Sequence, residues 1–115
     1  MTTLPTFAQL KKTFLDSGYE IRFFPRRKLE EMALDAPYEV KRHLDTNIMG
    51  LIVPDEGIIG IAGDLGTDDR AETLIHELFH LYDPDLDEEA VEAATIDLVQ
   101  TISPSQFGFV QFLVS

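Results

Sequence analysis

The sequence predicts an α+β fold in which a small antiparallel sheet, built around one hairpin, packs against several amphipathic helices. Three observations carry this expectation. Two apolar, β-branched runs between Ile48 and Ala62 flank Pro54-Asp55-Glu56-Gly57, whose proline and glycine suit a tight turn between antiparallel strands. In residues 67–82 and 88–102 apolar side chains recur at three- and four-residue spacing, as in helices with one buried side. The 115 residues are 44% hydrophobic and contain no repeat and no Gly/Ser linker, which describes one domain, 1–115, with enough apolar side chains for a core.

The elements follow in order. A helix is expected from about Thr6 to Ser17, with Phe7, Leu10 and Phe14 on one face and Gly18 as its stop. Tyr19 to Phe24 alternates like a strand, Ile21 and Phe23 on one side, and Pro25 closes it. Residues 27–44 read as helical with a break at Ala36-Pro37, because the residue before a proline is pushed out of the α region. Leu29, Met32, Ala33, Val40 and Leu44 form its buried side. The hairpin comes next, and its second strand, Ile58 to Ala62, leads through residues 63–66 into another helix. That helix starts within Thr67-Asp68-Asp69-Arg70-Ala71-Glu72, where Asp69 and Glu72 are spaced as a capping box. Ala71, Leu74, Ile75, Leu78 and Tyr82 make its core stripe, and Pro84 ends it. A further helix spans about Glu88 to Ile102, with Asp87 as N-cap and glutamates in the first turn, where the helix dipole favours them. Ser103-Pro104-Ser105-Gln106 repeats the start signals for a last helix through Phe107, Phe109, Phe112 and Leu113, although Gly108 and the Val/Phe content also allow a strand.

Composition narrows the chemistry. Cysteine is absent, so disulfides and thiolate metal sites are excluded and any metal is held by histidine and carboxylate. No apolar run approaches the roughly 18 residues of a membrane span, and the first residues lack a signal-peptide pattern; a cytoplasmic location without membrane contact is expected. The net charge of −12 is uneven: residues 64–97 hold twelve acidic side chains against Arg70 alone. An acidic surface of this kind solubilises the chain, attracts divalent cations and basic peptide, and repels a phosphate backbone, which argues against direct nucleic-acid binding.

The most specific segment is His76-Glu77-Leu78-Phe79-His80. On a helix, two histidines four apart lie one above the other, so both imidazoles reach a single metal ion with the intervening glutamate beside it. This is a zinc peptidase pattern. A catalytic zinc takes three protein ligands and leaves one position open, so a third ligand is sought downstream among Asp83, Asp85, Asp87, Glu88, Glu89 and Glu92. On a helical wheel Val91, Ala94, Leu98 and Ile102 share one arc, Glu88 falls at its edge, Glu92 lies slightly further round, and Glu89 points nearly opposite. Glu88 is therefore the preferred third ligand, with Glu92 in reserve. His76 and His80 bind Zn2+, Glu77 takes the proton of the attacking water as general base, and the metal polarises the scissile carbonyl. Tyr82, Tyr38, Tyr19 and His43 are weighed as oxyanion donors, and none is chosen. The strand Ile58 to Ala62, just before the metal helix, is either a pairing edge for an extended peptide substrate or a buried core strand.

The stretch from Met49 to Ile102, with its glycine-turned hairpin, the run Arg70-Ala71-Glu72-Thr73-Leu74-Ile75-His76-Glu77-Leu78-Phe79-His80 and then Asp87-Glu88-Glu89-Ala90-Val91-Glu92, resembles the ImmA/IrrE group of small zinc-dependent metallopeptidase-like domains, and compact gluzincin-like proteins more broadly. About half the chain carries the resemblance, which is specific mainly at the metal helix. It implies a zincin-like fold, zinc held by His76, His80 and a glutamate of the following helix, Glu77 as general base, and a protein substrate such as a transcriptional repressor. The group's Glu-Ala pattern can be laid on Glu89-Ala90 or on Glu92-Ala93. Phe79 stands where the group commonly has glycine, which narrows the site. The 115 residues leave no room for the helix-turn-helix domain that many members carry. The expected function is thus a zinc metallopeptidase, and the alternative is a non-catalytic, metal-stabilised acidic module that sequesters a basic protein partner.

Overall fold

The computed structural model describes residues 4–35 and 48–115. In chain order they form α1 (Phe7–Ser17), β1 (Glu20–Phe24), α2 (Arg26–Asp35), β2 (Gly50–Val53), β3 (Ile58–Ala62), α3 (Thr67–Tyr82), α4 (Glu88–Thr101) and α5 (Pro104–Leu113). The architecture is α+β. The expected break at Ala36-Pro37 and the continuation through Val40 and Leu44 lie outside the described residues, as do Tyr38 and His43.

The hairpin forms as its turn chemistry demands. Gly57 supplies a positive φ of 63°, and its N–H donates to the Pro54 carbonyl at 3.2 Å, so β2 returns antiparallel as β3. The sheet order is β1-β3-β2, and here the expectation of an all-antiparallel sheet is corrected: β1 runs parallel to β3, with Ile21 opposite Ile59 and Phe23 opposite Ile61. A parallel neighbour needs a crossover rather than a hairpin, and α2 lies on the route between β1 and the other strands.

Strand alternation then assigns the two faces. Ile21, Ile52, Ile59 and Ile61 pack into a main cluster with Leu10, Ala71, Leu74, Ile75, Leu78, Phe79, Val91, Ala94, Val110 and Val114. Phe24, Leu51, Val53 and Ala62 join a smaller cluster with Leu29, Ala33, Ile48 and Met32 on the α2 side. Every residue of β3 is buried, because helices cover both faces of the sheet and strands flank both of its edges. β3 is therefore the core strand of the two readings offered for it, since no edge remains for a substrate.

The helices start and stop where local chemistry dictates. Thr6 and Gln9 close a capping box at α1, and Gly18 ends it in the left-handed region at φ 73°. Ser103 and Gln106 form a second box at α5, with Pro104 in the first turn, which resolves the helix-or-strand alternative for the last segment in favour of helix. Leu10 is buried, with Phe7 and Phe14 packed beside it, as the spacing predicts. Arg70 fastens the C-terminal end to the sheet: its guanidinium donates to the carbonyls of Gly63 at 2.6 Å and Val114 at 3.3 Å and lies 4.4 Å from the centre of the Phe23 ring. Among the described residues no helix is long and apolar enough to cross a membrane.

Candidate metal centre

α3 is the axis of the molecule, in contact with α1, α4, α5, β2 and β3. Its entry differs from the capping box expected of Asp69 and Glu72. The helix begins at Thr67 behind an extended Gly66 that makes no side-chain cap, so Asp69 already lies in the first turn. Asp68 and Asp69 answer the exposed N–H dipoles there by charge instead. The core stripe is also wider than the periodicity suggests. Phe79 is 1% exposed in the main cluster, whereas Tyr82, expected in the stripe, is 38% exposed at the helix end. Phe79 thus fills the core, and the expectation that it narrows the site gives way to a packing role.

The link from α3 to α4 is short and hydrogen-bonded. The Asp83 N–H donates to the Phe79 carbonyl at 3.0 Å, the Asp83 carboxylate accepts from the Asp85 N–H at 3.1 Å, and Leu86 N–H donates to the Asp83 carbonyl at 3.1 Å. Asp87 then caps α4 through the Ala90 N–H at 2.7 Å. This turn lays the first turns of α4 beside the C-terminal half of α3. Val91 and Ala94 are buried against it, and Leu98 and Ile102 are partly buried, in keeping with the predicted arc.

As a result, one carboxylate faces two imidazoles. Glu88 Oε1 lies 2.7 Å from His76 Nε2, and Glu88 Oε2 lies 2.9 Å from His80 Nε2. The two rings are 5.0 Å apart between centroids and inclined at 64°. One donor atom from each of His76, His80 and Glu88 falls within 4.8 Å of the others, so this group could hold a metal ion. The histidine side chains are 12% and 4% exposed and that of Glu88 is 33% exposed, so the imidazoles are shielded by protein and the carboxylate is the most accessible member of the group. The donor set, two imidazoles and a carboxylate without thiolate, suits a borderline divalent metal.

The remaining candidates separate clearly. Glu92, the reserve ligand, has a side chain 60% exposed and sits 3.4 Å from His76 Nδ1, on the ring edge away from Glu88. Glu89 is exposed, as the wheel placed it, and Asp85 and Asp87 are exposed too, Asp87 being engaged as a cap. Of the residues weighed as oxyanion donors, Tyr19 is partly buried against the main core and Tyr82 is exposed. Glu77 is 1% exposed, buried where α3 meets β2.

Gly50, at the first position of β2, is a site residue that sequence reasoning passed over. A Cβ there would stand 2.8 Å from Thr73 Cγ2, 3.0 Å from the Gly60 carbonyl oxygen and 3.4 Å from Glu77 Cγ. The missing side chain lets β2 approach α3 at the turn that carries Glu77. A signal was present, since a lone glycine inside a β-branched run marks close backbone approach. Compared with known proteins, the chain matches no family model, no curated protein and no solved structure.

Proposed function

We propose that this protein is a zinc-dependent metallopeptidase of zincin-like architecture that hydrolyses a peptide bond in a protein or peptide substrate. The observation that carries the reading is the convergence of His76, His80 and Glu88, two of them on the helix that carries Glu77 between the histidines. Two imidazoles and one carboxylate with a fourth position open is the donor set of a hydrolytic zinc. The resemblance of residues 49–102 to the ImmA/IrrE group supports the same assignment. The same set serves non-haem iron, and the helix-borne histidine pair with its intervening glutamate favours zinc.

Zinc bound there would lower the pKa of a water towards neutrality and polarise the scissile carbonyl. His76, His80 and Glu88 would hold it, with Glu88 supplying compensating negative charge. Glu77 accepts the proton of the attacking water and delivers it to the leaving amine nitrogen. Its burial beside Gly50 restricts the rotamers of its carboxylate and keeps bulk water away. An extended substrate would add to β2, whose outer edge is covered by no described strand and whose first residue lies beside Glu77. The acidic surface of residues 64–97 favours substrates with basic character.

Glu77→Gln tests the assignment, because it keeps the shape of the side chain and removes the base. The expected result is unchanged zinc stoichiometry with cleavage of a protein or peptide library reduced by about 10²–10⁴-fold, the usual worth of a general base. Cleavage at the wild-type rate would refute hydrolysis by this mechanism. Retained capture of a basic partner, with neither form cutting it, would favour the sequestering module instead.

A further inference from the structure

We infer that β1 is the contact strand of a symmetric dimer, its outer edge pairing antiparallel with the same edge of a second copy of this chain; the inference is independent of the metal reading. β1 stands at one end of the sheet order β1-β3-β2, and among the described residues no strand lies on its outer side. Its burial differs from that of the other strands. Glu20, Arg22 and Phe23 are exposed, whereas every residue of β3 is buried and those of β2 are buried or partly buried. The ladder fixes which backbone groups are open. Glu20 N–H donates to the Gly57 carbonyl and Gly63 N–H donates to the Phe24 carbonyl, both at 2.9 Å. In this parallel register Glu20, Arg22 and Phe24 therefore bond to β3, and the N–H and C=O groups of Ile21 and Phe23 point outward. An edge with open donors and acceptors is a template for another strand.

The residues around Ile21 select a second copy and its register. In a two-fold antiparallel pair centred on Ile21, the two Ile21 backbones exchange both hydrogen bonds, Glu20 of each copy stands opposite Arg22 of the other, and Tyr19 stands opposite Phe23. The Glu20 and Arg22 positions are then the non-hydrogen-bonded ones, where Cα atoms approach to about 4.5 Å and opposite charges attract across the strands. Within one chain these side chains already share a face 3.1 Å apart and are 63% and 53% exposed, so meeting their counterparts strands no charge. Moving the axis to Arg22 would set Arg22 against Arg22, and moving it to Phe23 would set Pro25, which has no N–H, against Ile21. Phe23, 39% exposed, gains an aromatic neighbour in Tyr19. The net charge of −12 opposes self-association, but residues 1–63, which include β1, hold nine acidic and eight basic side chains and nearly balance. Pairing joins two three-stranded sheets and consumes both β1 edges, so the assembly closes at two copies and leaves both β2 edges free. One short strand per copy is a small contact, which places the dimer in the weak, concentration-dependent class.

Sedimentation equilibrium of the full chain, from micromolar to millimolar concentration, tests the inference on the wild type, Glu20→Arg, Arg22→Glu, an equimolar mixture of those two variants, and Phe112→Glu. Circular dichroism checks that each variant is folded, which is expected because all three side chains are exposed. The wild type should show a reversible monomer–dimer equilibrium. Each single reversal turns both opposite-charge pairs into like-charge pairs and should raise the dimer Kd by roughly tenfold or more. The two reversals change the net charge in opposite directions, so an effect of overall charge would strengthen one and weaken the other. In the mixture the two basic positions of one variant face the two acidic positions of the other, and association should return to the wild-type strength. Phe112, 74% exposed on α5, lies outside the contact, and Phe112→Glu should leave the dimer intact. A wild type that stays monomeric throughout the range overturns the inference. So does weakening by only one of the reversals, which would place the axis elsewhere, or a mixture that fails to recover. A dimer indifferent to both reversals but dissolved by Phe112→Glu would put the contact on α5 and overturn it as well.

Discussion

His80 is 4% exposed and its Nε2 faces Glu88, so replacing it removes a candidate ligand and also strips a carboxylate of one partner. His80→Ala is expected to abolish stoichiometric zinc binding and to cost the metal-free protein about 1–3 kcal/mol, from the lost contact to Glu88, which keeps His76, and the space left by a buried ring. Chelator competition and urea unfolding read the two effects separately. Retention of a full zinc equivalent by His80→Ala would remove this residue from the site. At this scale the sequence was informative where chemistry is tied to periodicity. Histidines four apart on a helix had to share a face, and the wheel separated Glu88 from Glu89 because the apolar arc of Val91, Ala94 and Leu98 had to meet the rest of the core. It ranked Glu88 ahead of Glu92 on the wheel without fixing how far either lies from the histidines. Both lie near the edge of that arc, and the difference arises from how α4 is offset along α3, a property of the Asp83–Asp87 turn and not of either helix.

Among elements, the hairpin was legible because Pro54 and Gly57 specify their own turn, α1 because Phe7, Leu10 and Phe14 recur on one face ahead of Gly18, and α4 and α5 because Asp87 and Ser103 cap them. The direction of β1 was not, since the alternation of Ile21 and Phe23 is the same in parallel and antiparallel strands. The start of α3 was ambiguous for another reason: Thr67, Asp68 and Asp69 all suit a cap, and the chain uses Gly66. Two predictions belong here. Gly50→Ala places a methyl 2.8 Å from Thr73 Cγ2 and should destabilise the protein by about 1–3 kcal/mol, the usual cost of overpacking, by pressing β2 off α3. Thr73→Ser removes that Cγ2, so the double variant should recover part of the loss in urea unfolding, though not all, because the Gly60 carbonyl remains at 3.0 Å. Additive single effects would deny the contact. Asp87→Ala should cost about 1 kcal/mol through the lost cap and, by fraying the turn that carries Glu88, weaken zinc binding as well, whereas Asp87→Asn should preserve both. A lost cap with unchanged zinc affinity would mean that Glu88 is placed by packing alone.

Across the whole molecule, α3 is enclosed by three helices and two strands, which is why its motif was easier to find than its surroundings. An amphipathic helix announces one buried side. A central helix buries Ala71, Leu74 and Leu78 towards one neighbour and Thr73, Glu77 and His80 towards others, so periodicity alone misplaced Tyr82 and undervalued Phe79. The same centrality makes any metal at the cluster a cross-link between α3 and α4, holding together parts of the chain that also carry most of its negative charge. A ligand that binds only the folded chain stabilises it by RT ln(1 + [L]/Kd), about 2.7 kcal/mol at a hundredfold excess over Kd. With a urea dependence of roughly 1–3 kcal/mol per molar for a small protein, the unfolding midpoint should rise by about 1–3 M between chelator and a hundredfold excess of zinc over Kd. His80→Ala should lose this increment entirely. Asp87→Ala should keep a smaller one at the same zinc concentration, since its Kd is raised. Magnesium, which prefers oxygen ligands in an octahedral shell, should not substitute for zinc although it screens the acidic surface equally as a divalent cation. Equal stabilisation by magnesium and zinc would trace the effect to surface charge and leave the His76, His80 and Glu88 cluster without a metal-binding role.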